Sequence, residues 1–297
     1  MIDLDVPRYL GQLKTITPEL AREFRFPALF SFAGTKLKET MAFAFSEWED
    51  EKNPAPYQLV CLRTLRYLTV IETMRRHGPD FEFWARAFAT SADAAVRYEC
   101  VLACYGSEDE RAWELVRSAA TDRVGKVRAF ALQIAGSIVR MVPTRRAAGM
   151  ALLKYNLEHG NPWNRLGALM GYSIAGLRGD GLAAQLTRFV DAEWDDTLRH
   201  MAIGLLSRVM EKENFASFAA DFATRAAPLP ACTQAVLFHF LSLAHPHKAQ
   251  GIAAQAFIDP KSAGPLAGAA AQGMAVQATI GSHAWNDEFS QTLLGLH

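Results

Sequence analysis

The stretch DRVGKVRAFALQIAGSIVRM, residues 122–141, decides the fold. Its apolar residues Val127, Phe130, Ile134, Ile138 and Met141 fall at i, i+3, i+7, i+11 and i+14. That is the spacing of one apolar helix face. The stretch opens on Asp122, carries Arg128 early, and places Ala131 three residues past the arginine. The same order recurs in ADAAVRYEC at 92–100, NPWNRLGA at 161–168 and DDTLRHMA at 195–202. The arginines concerned, Arg97, Arg128, Arg165 and Arg199, stand 31, 37 and 34 residues apart, and Arg63 lies another 34 upstream. Between them Gly, Pro and Asp punctuate the chain at helix-length intervals, as at Gly106, Val142-Pro143, Gly160-Asn161-Pro162 and Gly179-Asp180-Gly181. No window alternates like a strand. A beat near 34 with two helices per unit is the signature of stacked helix pairs, because a single pair cannot bury its apolar stripe alone.

On these residues the chain resembles the HEAT-like repeat family, including its short phycobilisome-lyase-type form, in which Asp-x-x-Val-Arg-x-x-Ala opens the second helix of each pair. Asp93, Val96, Arg97 and Cys100 match with one small substitution. Asp122, Val127, Arg128 and Ala131 match with a longer gap, Asn161, Arg165 and Ala168 loosely, and Asp195, Leu198, Arg199 and Ala202 well. The resemblance implies an all-α fold, a right-handed α-α superhelix of about seven helix pairs. The second helices are expected near 56–74, 93–105, 124–141, 163–177, 196–210, 231–245 and 265–280, lining a concave face. Residues 1–55 read as an N-terminal cap and first helix, and 56–297 as the repeat array, continuous with the cap. Arg97, Arg128, Arg165 and Arg199 are expected to form a structural ladder, each reaching an acid or carbonyl of a neighbouring repeat.

Composition bounds the function. The 297 residues carry 31 Lys+Arg against 31 Asp+Glu, and half are apolar. This excludes a mainly disordered chain and argues against a uniformly basic nucleic-acid binder. Cys61, Cys100, Cys104 and Cys232 form no CxxC pair and read as small core residues in a reducing compartment. MIDLDVPRYL has no secretory pattern, and Ser262–Trp285, mostly Ala and Gly, is too weakly hydrophobic for a membrane span. The expectation is a cytoplasmic protein that does not enter a membrane.

Charge supplies the strongest local feature. Residues 123–157 hold Arg123, Lys126, Arg128, Arg140, Arg145, Arg146 and Lys154 and no acid. Antiparallel pairing predicts two clusters at opposite edges: Arg140, Arg145 and Arg146 at one, and Arg123, Lys126, Arg128 and Lys154 at the other. Such clusters suit an anionic or acidic partner. Acidic groups at Glu47, Glu49, Asp50 and Glu51, and at Asp191, Glu193, Asp195 and Asp196, read as solvated faces.

Trp163 and Trp194 stand near the starts of adjacent second helices and are candidate groove aromatics, whereas Trp84 and Trp113 read as core. Alkylpurine DNA glycosylases of the AlkD type share HEAT-like architecture and hold DNA with tryptophans and a carboxylate. Their Trp with an Asp four residues later is matched by none of the six tryptophans here. His239, His245 and His247 lack the companions a zinc site needs, and no nucleotide, nucleophile-elbow or metalloprotease motif occurs. No cofactor, metal or catalytic residue is expected. The reading is a non-enzymatic scaffold presenting a groove to a protein or peptide, with nucleic-acid binding or repair through the basic stretch as the alternative.

Overall fold

A computed structural model describes residues 6–25, 34–74, 81–193, 195–225, 230–245 and 247–249. The expected helix at 265–280, the stretch Ser262–Trp285 and the candidate Trp194 lie outside the described residues. Within them the protein is all-helical, without a strand: α1 (Val6–Gly11), α2 (Pro18–Glu23), α3 (Gly34–Glu49), α4 (Ala55–Met74), α5 (Phe81–Thr90), α6 (Ala94–Ala103), α7 (Glu110–Ala119), α8 (Gly125–Met141), a 3-10 turn at Pro143–Arg145, α9 (Arg146–His159), α10 (Pro162–Ala175), α11 (Asp180–Ala192), α12 (Asp196–Val209), α13 (Lys212–Arg225) and α14 (Ala231–Ala244). No helix of the described residues is long and apolar enough to cross a membrane.

Several helices begin where the sequence places short polar side chains. Asp93 accepts from the Ala95 N–H at 2.8 Å, Asp109 from Arg111 at 2.8 Å and Asp195 from Leu198 at 3.1 Å. Each replaces a backbone partner that the first helical turn lacks. Gly106, between α6 and α7, has φ +64° and lies under the Met141 side chain, with its N–H bonded to Ser137 Oγ at 3.2 Å. A side chain there would meet both a strained backbone and the Met141 sulfur.

Two compact units are present, Met1–Ala175 and Gly176–His297. In the first, α5 packs with α6, α7 with α8, and α9 with α10, while α4 packs on α6, α6 on α8 and α8 on α10. In the second, α11 packs with α12, α13 with α14, and α12 on α14. Apolar faces therefore meet both within a pair and between pairs. Trp84 and Trp113 are buried, as are Val127, Ile134 and Ile138 on the deciding face of α8.

The closest packing lies between α8 and α10. A Cβ on Gly167 would sit 2.5 Å from the Ala129 carbonyl oxygen, and one on Gly171 would sit 2.5 Å from that of Leu132. A Cβ on Gly136 would overlap the Gly171 carbonyl, and one on Gly125 would lie 2.5 Å from the Trp163 ring. Contact advances from 125/163 through 129/167 to 136/171, so the two helices run parallel with backbone against backbone. Only small residues permit this approach. Gly136→Ala is expected to lower stability by roughly 1–3 kcal/mol or more through overpacking. Gly11→Ala, at a position with open space around it, should change stability by less than about 0.5 kcal/mol. Urea unfolding of the two variants measures both, and equal effects would contradict the backbone contact.

Candidate functional site

The repeated arginine sits at the same place in four helices: Arg97, Arg128, Arg165 and Arg199 are each the fourth residue of α6, α8, α10 and α12. In three of them the guanidinium bonds the carbonyl six residues back, closing the turn that leads into its own helix. Arg97 Nη1 donates to Ser91 O at 3.1 Å, Arg128 Nη1 to Asp122 O at 2.6 Å, and Arg199 Nη2 to Glu193 O.

Two of these arginines also reach the following pair. Arg97 grips Asp122 with two bonds, Nε to Oδ2 at 2.7 Å and Nη2 to Oδ1 at 3.1 Å. Arg128 Nε donates to Asn164 Oδ1 at 2.8 Å. Asn164 Nδ2 in turn donates to Asn156 Oδ1 at 2.6 Å and to Ala120 O at 3.4 Å. A continuous hydrogen-bonded chain thus runs from the α5–α6 turn through Arg97, Asp122, Arg128 and Asn164 to Asn156 on α9. Upstream, Arg63 and Arg66 of α4 both bond the buried carboxylate of Glu99 on α6, at 2.8 and 3.0 Å. Arg63 also donates to Ala21, Arg22 and Phe24 carbonyls at the end of α2. Arg199 stays local, pairing with Asp196 at 2.7 Å. Arg165 is half-buried beside Asn164.

The Asn156–Asn164 pair and Glu99 carried no sequence signal of their own. Asn164 lies inside the NPWNRLGA string, but an asparagine before a helical arginine is common to caps and turns. Glu99 follows Tyr98 in a helix whose partners are 33 and 36 residues away.

The basic stretch divides by its bonds. Arg145 pairs with Glu110, Arg123 Nη2 donates to Ala92 O at 2.7 Å, and Arg128 belongs to the chain above. Arg146 Nε approaches Val139 O at 3.5 Å. Arg123, Lys126, Arg140, Arg146 and Lys154 are exposed. Lys126 lies in the first turn of α8 and Arg140 in its last, so these two charges stand at opposite ends of the helix.

Trp163 is 40% exposed although its ring is pressed on Gly125. His245 Nε2 meets Glu213 Oε1 at 2.8 Å, and burial lowers the His239 pKa. Among the described residues no group of three metal-ligating side chains occurs. All four cysteines are free thiols, with Cys61, Cys100 and Cys104 buried and Cys232 exposed. Burial pushes Cys61 and Cys100 up to about 12, so neither is a nucleophile at neutral pH. His200, unremarked in the sequence, is buried with Nε2 2.9 Å from Thr233 Oγ1, and burial lowers its pKa. Family profiles, curated proteins and solved structures contain no match to this chain.

The Arg97–Asp122 pair sets an acid limit. Both side chains are 5% exposed. Burial acts to raise the Asp122 pKa, but the Arg97 guanidinium and the Val124 N–H outweigh it and hold the carboxyl below its ordinary value. The pair's contribution is therefore complete above the usual carboxylate range and is lost as pH falls through the depressed pKa. Arg97→Ala should cost about 3–5 kcal/mol at neutral pH, because it leaves a buried carboxylate without its partner. Urea unfolding should show that gap narrowing below about pH 4, and a gap that does not change with pH would contradict the pairing.

Proposed function

We propose that this protein is a non-enzymatic binding scaffold, a HEAT-like right-handed superhelix of about seven pairs. Its second helices present an extended concave face to a protein or peptide partner. The observation that carries this reading is the recurring arginine at the fourth residue of α6, α8, α10 and α12, which in three cases closes the preceding turn through the carbonyl six residues back. A fastening repeated once per helix pair is what a stacked array needs, and a rigid extended face of this kind suits a peptide or helical ligand. Buried thiols fit a reducing compartment, and the cytoplasm is the proposed location.

The division of the basic stretch favours a protein partner over nucleic acid. Of its seven cations, Arg145 is paired with Glu110 and Arg128 with Asn164, and the exposed Lys126 and Arg140 lie at opposite ends of α8 rather than along one surface. Duplex binding draws its affinity from many phosphate contacts along one surface.

The test pairs two measurements on the full chain. Titration with a labelled DNA duplex at about 50 and about 200 mM salt should give no saturable binding at the higher salt. Affinity purification from the native cell should yield a stoichiometric protein partner that re-forms the complex from purified components. Tight duplex binding that weakens steeply with salt, with no protein complex, would overturn the scaffold reading.

A further inference from the structure

We propose that Arg25, Arg63, Arg66 and Tyr98 form a site for one phosphate monoester group. The site is independent of the scaffold reading, because a single anion needs no extended face.

Two arginines on α4 share a single acid. Arg63 and Arg66 each donate through Nε to the Glu99 carboxylate of α6, at 2.8 and 3.0 Å. The Glu99 side chain is 2% exposed, which draws both guanidiniums inward, yet the Arg66 side chain keeps 25% exposure. Among the described residues Arg66 bonds through Nε alone, and its two Nη groups have no protein acceptor. Arg63 turns Nη1 to the Ala21, Arg22 and Phe24 carbonyls, and its Nη2 has no acceptor among the described residues. A guanidinium held at one end, with N–H groups open at the other, is already oriented for an oxyanion.

Arg25 and Tyr98 complete the site. Arg25 directly follows Phe24, whose carbonyl lies 3.2 Å from Arg63 Nη1, so the chain leaving α2 carries a third guanidinium to the other two. Tyr98 precedes Glu99 on α6, and its ring is held edge-on to Phe130 of α8 at 4.3 Å between centroids. The charges that act most on its hydroxyl are Glu99, Arg66, Arg63 and Arg25, in that order. Burial raises its pKa, so the phenol stays a proton donor at neutral pH.

Charge selects the ligand. Three guanidiniums face one carboxylate here, which leaves two positive charges in a half-buried place. Other acids of the surrounding helices are engaged or set apart. Glu19 is held by Thr17 and Arg22 at the start of α2, and Glu47 of α3 pairs with Lys14. Glu23 is exposed in the last turn of α2 and Glu39 is exposed on α3; among the described residues neither pairs with these arginines. Glu72 lies six residues beyond Arg66 along α4. A phosphate monoester carries about −1.5 to −2 charge at neutral pH and three strong acceptor oxygens. The Nη groups of Arg66, Nη2 of Arg63 and the Tyr98 hydroxyl supply the donors, and Arg25 the remaining charge. A carboxylate would leave one of the two positive charges unanswered.

The experiment titrates the full-length chain with inorganic phosphate, followed by phosphorus NMR at constant ionic strength. Wild type is compared with Arg25→Ala, Tyr98→Phe and Arg140→Ala, each checked for native helicity. Both site variants spare the Arg63 and Arg66 bonds to Glu99, and Tyr98→Phe keeps the ring on Phe130. Arg25→Ala should weaken phosphate about tenfold and Tyr98→Phe about fivefold, while Arg140→Ala, in the last turn of α8, should bind as wild type. Acetate should compete poorly. Glycerol phosphate and a phosphoserine peptide library then separate the sources: displacement of phosphate by the small ester assigns the site to a free phosphorylated molecule, and displacement by peptides that lose it on dephosphorylation assigns it to a modified protein. No phosphate binding, equal competition by acetate, failure of both esters to displace phosphate, or binding undiminished in Arg25→Ala and Tyr98→Phe would overturn the proposal. None of these outcomes touches the scaffold reading, which stands or falls on the protein complex.

Discussion

Everything in the first unit depends on how closely the backbones of α8 and α10 approach. Gly136 and Gly171 meet with no room for a side chain between them, and Gly167 lies against the Ala129 carbonyl. At that separation the polar groups flanking the contact leave water, so they must find partners in the protein. The Arg128–Asn164–Asn156 bonds supply them, and the same bonds set the parallel register of the two helices. Close packing and polar satisfaction therefore determine each other, and neither would persist without the other.

The remaining fastenings follow the same logic with different partners. Between α6 and the approach to α8 the bond is an ion pair, Arg97 with Asp122, and between α4 and α6 it is one carboxylate shared by two arginines. Buried charges are costly to strand, so each of these contacts discriminates against slipped packings even where its net stabilisation is modest. The outcome is a face held without play. Trp163 is 40% exposed while its ring lies against Gly125 of the neighbouring helix.

The sequence made the helices legible because their apolar spacing and their punctuation agree. Val127 to Met141 defines α8, and Asp93 and Asp195 mark the starts of α6 and α12. The arginine beat placed four side chains at equivalent helical positions. It said less about what each touches. Arg97 finds an acid, Arg128 an asparagine and Arg199 its own turn, because the partner is whichever group tertiary packing brings alongside the guanidinium. The small-residue contact was missed because Gly136, Gly167 and Gly171 read equally well as helix-weakening glycines; only their partners across the interface explain them. Trp163 was singled out as an aromatic near a helix start, but its support on Gly125 is a contact 38 residues away in sequence and has no local signature.

The central claim is that polar fastening and backbone contact bind α6, α8 and α10 into one cooperative body. Native-state hydrogen exchange tests it most directly. In the wild-type chain the slowest amides of α6, α8 and α10 should open with a common free energy, and Asn164→Ala should lower all three together. Exchange in which α10 opens alone, leaving α6 and α8 at their wild-type protection, would contradict the account.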